Sequence, residues 1–116
     1  MDKRQFYIDG RWVPPRQAND FDVIDPSTED VVGVISLGDQ ADTDAAVAAA
    51  KSAFDGWSAS SRDERVTLLE RILELYEARS DDISHAISQE MGAPIDLARS
   101  QQTGSGLGHI KGFIRT

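Results

Sequence analysis

The strongest constraint on this chain is a change of hydrophobic period at Asp39. Before it, apolar residues come in short β-branched or aromatic runs broken by turn residues; after it, they recur every three to four positions. A period near two belongs to strands and one near 3.6 to helices, so the two halves cannot share one kind of element. The chain therefore reads as α+β, with antiparallel strands over 1–38 followed by three to four helices over 39–116, as a single segment.

In the first part, Phe6–Ile8 and Arg11–Val13 flank Asp9-Gly10, a pair suited to a two-residue type I′ turn. Pro14-Pro15 ends the second run, because neither residue can donate a ladder hydrogen bond. Phe21, Val23 and Ile24 form a further extended piece closed by the turn sequence Asp25-Pro26-Ser27-Thr28. Residues 31–37 are rich in β-branched side chains and stop at Gly38-Asp39. This spacing predicts an antiparallel meander.

In the second part, Asp39 is a good N-cap, with Asp42 and Asp44 near the positive end of the helix dipole. Ala46, Val47, Ala50, Ala53, Phe54 and Trp57 share one helical face, and Gly56 is placed to stop that helix. Ser61-x-x-Glu64 is a capping box opening a second helix. Its apolar stripe is Val66, Leu69, Ile72, Leu73 and Tyr76, widened by Leu68 and Leu75. Ser80, Asp81 and Asp82 mark a third start, with Ile83, Ala86, Ile87 and Met91 inside; Gly92 suits a left-handed C′ position and Pro94 prevents continuation. Beyond it the pattern weakens. Residues 96–102 suit a helix, yet Gly104, Gly106, Gly108 and Gly112 each cost about 1 kcal/mol relative to Ala in a helix interior. Leu107, Ile110, Phe113 and Ile114 nevertheless repeat at helical spacing up to an uncapped end, which reads as a helix with a buried face cut short.

Composition excludes several functions. At 116 residues, with 40% hydrophobic and 28% charged residues, the chain suits one soluble globular domain. A net charge of −8 argues against nucleic-acid or anionic-membrane partners, which need clustered Lys and Arg. No run approaches the ~20 apolar residues of a membrane span, and Met-Asp-Lys-Arg-Gln-Phe lacks a secretion signal's apolar region. With no cysteine, a disulfide is impossible and the cytoplasm is the expected setting.

Few residues carry catalytic chemistry. Gly104-Ser105-Gly106-Leu107-Gly108 has the glycine density of a phosphate loop, but Leu97-Ala98-Arg99-Ser100-Gln101-Gln102-Thr103 before it is no buried strand. Neither His85 nor His109 has a second His at the i, i+4 offset of a two-His metal helix. No serine lies in a Gly-x-Ser-x-Gly elbow. Glu90 is the one acid of interest, since it precedes a helix end and can bond to the turn at Gly92. Trp12 and Trp57 suit packing better than a ligand platform.

Five motifs follow in fixed order: Phe6-Tyr7-Ile8-Asp9-Gly10-Arg11-Trp12-Val13; Phe21-Asp22-Val23-Ile24-Asp25-Pro26-Ser27-Thr28; Asp42-Thr43-Asp44-Ala45-Ala46-Val47; Arg62-Asp63-Glu64-Arg65 leading into Leu68-Leu69; and Glu90-Met91-Gly92-Ala93-Pro94. Together, over nearly the whole chain, they resemble the amino-terminal segment of the NAD(P)-dependent aldehyde dehydrogenases. The resemblance implies an α/β parent fold, of which this is the first part of the cofactor-binding domain, flanking a doubly wound sheet. It implies oxidation of aldehydes to carboxylic acids with NAD or NADP, through a cysteine thiolate and a glutamate-activated water. In the family those groups come later in a longer chain. No position here matches a catalytic, cofactor-binding or metal residue, and none is assigned.

In some members a monovalent cation sits by the carbonyl at the position matching Ile24 and by a later aspartate; here Ser100-Gln101-Gln102-Thr103 offers no aspartate. The run Pro94-Ile95-x-Leu97-Ala98-Arg99 resembles a bacterial branch that favours broad or aromatic aldehydes. The expectation is an amino-terminal fragment of this oxidoreductase, inactive alone, with NAD or NADP held by the parent. Its partners would be the remainder of the parent enzyme or further copies of itself, as a homo-oligomer. Faces carrying Val47, Phe54, Leu69, Ile72 and Ile110 are expected to need cover from a sheet this chain lacks. The alternative is a small non-enzymatic interaction module that packs its apolar helix faces on a partner.

Overall fold

In the computed structural model, which describes residues 1–116, Asp9 and Gly10 take φ of 54° and 72°, the pair of positive values a type I′ turn needs. They join β2 (Phe6–Ile8) to β3 (Arg11–Val13), with Tyr7 directly opposite Trp12. Those two rings meet edge to face at 5.3 Å between centroids.

The strands do not continue as a meander. The hairpin is a sheet by itself, and a second, three-stranded sheet has the order β1 (Asp2–Lys3), β5 (Val31–Ser36), β4 (Asp20–Ile24). Strand β4 runs antiparallel to β5, with a register shift between Val23 and Ile24, but β1 runs parallel to it. The expected run of antiparallel neighbours fails for a physical reason. Pro14-Pro15 ends pairing after β3, while Met1 donates its amine to the Val32 carbonyl and accepts from the Val34 amide, both at 2.9 Å. The first residues thus occupy an edge of β5 that a meander would give to the hairpin.

Helix α1 (Gln40–Ser58) groups with these strands: residues Met1–Ile24 and Glu29–Ala59 form one compact unit. The break in the chain's organisation therefore falls at Ala59, past the change of period at residue 39. Asp39 caps α1 as its side chain suggests, accepting from the Asp42 amide at 3.0 Å while Asp42 accepts from the Asp39 amide at 3.2 Å. Gly56 does not stop the helix, which runs two residues further.

The second unit comprises Asp25–Thr28 and Ser60–Thr116. Helix α2 (Arg62–Ala78) opens on the Ser61/Glu64 capping box, and α3 (Ser80–Met91) closes on Gly92 at φ 71°. Then α4 (Ile95–Leu97) runs through a π-helical segment, Ala98–Thr103, into α5 (Gly104–Arg115). The four glycines do not interrupt α5. At one of them the reason is close packing: a Cβ on Gly106 would overlap the Tyr76 hydroxyl of α2, with the ring Cζ only 2.8 Å away. That hydroxyl donates to the Thr103 carbonyl at 3.2 Å.

Apolar burial is sparse in both units. Ala93 and Ala98 are the only buried apolar side chains, whereas Phe54 is 63% and Phe113 70% exposed. Val47, Leu68, Ile72 and Leu75 are exposed too, and Leu69 and Ile110 are half-buried. No helix is long and apolar enough to cross a membrane.

Candidate functional site

In the first unit a concavity lies between the β2–β3 hairpin and α1, with a volume of about 630 Å³. Ile8, Val13, Pro14, Ala45 and Ala49 give it apolar walls, and Arg11 and Arg16 add charge. The small alanines of α1 keep its floor open, as their helical spacing suggests. Asp42 also lines it and is buried, but its carboxylate is already occupied. Oδ1 accepts from the Arg16 amide at 2.9 Å and Oδ2 from the Asp39 amide. Ser52 lines it too, with no histidine among the lining groups. This groove holds no pair able to move a proton and no activated nucleophile.

A charged cluster sits at the edge of the three-stranded sheet. Arg4 bridges Asp2 (Nη2 to Oδ2, 2.6 Å) and Asp20 (Nη1 to Oδ2, 3.1 Å), and the Ser36 hydroxyl donates to Asp20 at 2.8 Å. The Arg4 hydrogen bond holds the Asp2 carboxyl below its usual range; for Asp20 the Ser36 hydroxyl is the larger cause and Arg4 the second. All are solvent-exposed apart from Ser36, so the cluster pins β1 rather than building a pocket.

In the second unit the most enclosed polar group is Ser84 with Thr103. Their hydroxyls lie 2.8 Å apart, both nearly inaccessible, and Ser84 also donates to the Ser80 carbonyl at 2.8 Å. With the Tyr76 bond to Thr103, these contacts tie α2, α3 and the π-helical segment together. Arg99 adds a link outside, donating through Nε and Nη2 to Asp81 at 3.0 and 2.9 Å. Sequence reasoning missed this cluster: its members lie 19 and 27 residues apart, and no local pattern relates them.

The positions singled out by sequence fall as follows. His85 sits on α3 with Nδ1 2.8 Å from the Asp81 carbonyl oxygen and 3.7 Å from its carboxylate, so an acidic neighbour does stand four residues before it; His109 lies exposed on α5. No group of three or more His, Asp or Glu gathers as a metal set would require. Gly104 to Gly108 lie within a continuous helix, so their amides are not free to cradle a phosphate. Glu90 is exposed, and the turn it was expected to hold is tied by Ser88 instead. The Ser88 carbonyl accepts from the Gly92 amide at 2.9 Å, and its hydroxyl donates to the Ala93 carbonyl at 2.8 Å. Ile24 ends β4 in one unit and Ser100 to Thr103 lie in the π-helical segment of the other. Trp12 is 63% exposed and Trp57 is exposed as well, so neither is a core residue.

The architecture is that of a stretch of aldehyde dehydrogenase structure. It superposes on 24% of the Bartonella henselae aldehyde dehydrogenase with a TM-score of 0.97, over 99% of this chain and at 51% sequence identity. A Pseudomonas syringae aldehyde dehydrogenase C variant, solved with NAD+ and octanal, matches 93% of this chain at a TM-score of 0.91 and 42% identity, over 22% of its own length. The aldehyde dehydrogenase family model matches residues 12–115, and the chain belongs to that family. Over 94% of its residues it is 51% identical to a Pseudomonas 3-succinoylsemialdehyde-pyridine dehydrogenase, of which it covers 23%. The chain thus spans under a quarter of the length of the curated relatives it matches.

Proposed function

We propose that the chain is the amino-terminal part of an NAD(P)-dependent enzyme that oxidises aldehydes to carboxylic acids in the cytoplasm, and that alone it is catalytically silent. Its residues would form the first part of the cofactor-binding domain and supply packing surface rather than reacting groups. The observation that carries this reading is the exposure of the apolar stripe Leu68, Ile72 and Leu75, on a helix with a fully formed N-terminal cap. A helix whose local signals are complete but whose apolar face is only partly covered is missing cover, not its fold.

The cofactor would be NAD or NADP, held by the remainder of the enzyme. NAD+ is present in the solved Pseudomonas syringae and Mycobacterium tuberculosis relatives. The partners are that remainder and further copies of the enzyme in a homo-oligomer. Neither unit offers a cysteine, and the hairpin groove offers no histidine and a buried carboxylate already bonded to backbone amides, so the chain's own chemistry stops at binding and support. The interaction-module alternative is not favoured, since 94% of the chain aligns at 51% identity with an enzyme.

The test is aldehyde oxidation by the purified 116-residue chain with NAD or NADP, followed by absorbance of the reduced nicotinamide. No turnover above buffer is expected. Aldehyde-dependent turnover that copurifies with the chain would overturn the silent-segment reading.

A further inference from the structure

We propose that Met91 is an oxidation site coupled to the π-helical segment through Gln102. Met91 was expected on the inner face of α3, but as that helix's last residue it lies beyond the packed turns and is 58% exposed. Its thioether sulfur accepts a hydrogen bond from Gln102 Nε2 at 3.2 Å. The orientation of that amide follows from the sulfur, which carries no proton and can only accept. The other end of the amide has no such fit: Gln102 Oε1 is buried and makes no hydrogen bond. One side chain of the π-helical segment is therefore held by a weak acceptor on one side and left unsatisfied on the other.

A thioether has two lone pairs, and Gln102 engages one. Hydrogen peroxide, as oxidant, reacts with the other: the sulfur pair attacks one peroxide oxygen and the O–O bond breaks. That oxygen becomes the sulfoxide oxygen, and the second leaves as water after taking up the proton. Sulfur loses two electrons and the peroxide gains them. The product replaces a soft apolar acceptor by a strong polar one that projects from the sulfur. Gln102 must then move off the sulfur to reach the new oxygen, and its backbone lies within Ala98–Thr103. Methionine sulfoxide reductase reverses the change.

The chain carries its own control, because the other methionine, Met1, is similarly exposed at 55% and bonds by its backbone to β5 in the other unit. The full chain is treated with dilute peroxide, and peptide mass mapping follows the gain of one oxygen at each methionine. Amide hydrogen exchange is then compared before and after. Met91 is expected to oxidise within about threefold of the Met1 rate, and amides 98–103 to exchange about tenfold faster once it has. Reductase treatment restores the original exchange. Met91→Leu, a volume-conserving change at an exposed position, should abolish the exchange response while Met1 still oxidises. Gln102→Ala should leave Met91 oxidation intact but uncouple it from residues 98–103. Oxidation at Met91 more than about tenfold slower than at Met1 overturns the proposal, as does unchanged exchange after oxidation. A response that persists in Met91→Leu overturns it equally.

Discussion

Gly92 shows how one residue fixes the end of an element. Its φ of 71° is one that an L side chain adopts at a cost of about 1–2 kcal/mol, and a Cβ there would stand 2.8 Å from Pro26 Cγ. Gly92→Ala should therefore lower unfolding stability by about 2 kcal/mol or more, read as a drop in the urea midpoint at unchanged slope. The carboxylates around Arg4 set a different limit. Asp2 and Asp20 have folded-state pKa values below the usual range, so they bind protons less readily folded than unfolded. Their contribution is present above the ordinary carboxylate pKa and is lost as pH falls through it into the lowered folded range. Arg4→Ala should thus reduce the thermal midpoint at pH 7, and the difference from the parent should shrink as pH falls below the ordinary carboxylate range. A difference that grows on acidification would contradict this sign.

At the scale of elements, the starts of α1 and α2 are governed by contacts three residues apart, whereas α3 begins with no side-chain cap. Ser61 and Glu64 satisfy each other's backbone amides at 3.2 and 2.7 Å, and Ser61→Ala should cost about 1 kcal/mol in thermal or denaturant unfolding. Such local chemistry is why the capping boxes at Asp39 and Ser61, the turn at Asp9-Gly10 and the stop at Gly92 were legible in the sequence. The parallel β1 was not, because two residues carry no period and their pairing depends on Met1 reaching Val32 and Val34. Nor was the π-helical segment, which is fixed by Tyr76 and Ser84 from other helices. Glycine content made 104–112 hard to read, while the helical spacing of Leu107, Ile110, Phe113 and Ile114 pointed to the helix that forms there. The candidate site was legible chiefly as chemistry the chain lacks; Glu90 was misplaced because Ser88 is the residue whose hydroxyl reaches the turn. Helix α5 offers a sharp contrast for testing. A Cβ at Gly108 or Gly112 meets nothing within 4 Å, so Ala at either should stabilise the isolated chain by roughly 0.5–1 kcal/mol. At Gly106 the same change drives into Tyr76 and should destabilise it.

For the whole molecule, the decisive fact is how little apolar surface is enclosed. A domain's stability rests on burying side chains worth about 1.5–3 kcal/mol each, and here Val47, Phe54, Leu68, Ile72 and Leu75 all remain exposed. The capped helices and formed hairpin give a scaffold whose apolar faces stay open. Changing Leu68, Ile72 and Leu75 together to Gln should shift the chain's own stability only slightly, since each is exposed, yet should prevent assembly into an active enzyme. The most direct measurement is reconstitution. The chain is co-expressed with the Pseudomonas 3-succinoylsemialdehyde-pyridine dehydrogenase lacking its matching segment, and NADH formation from that enzyme's semialdehyde is followed. The account predicts activity from the two pieces together, none from either alone, and none with the triple Gln variant. Equal activity with and without the chain, or turnover by the chain alone, would contradict it.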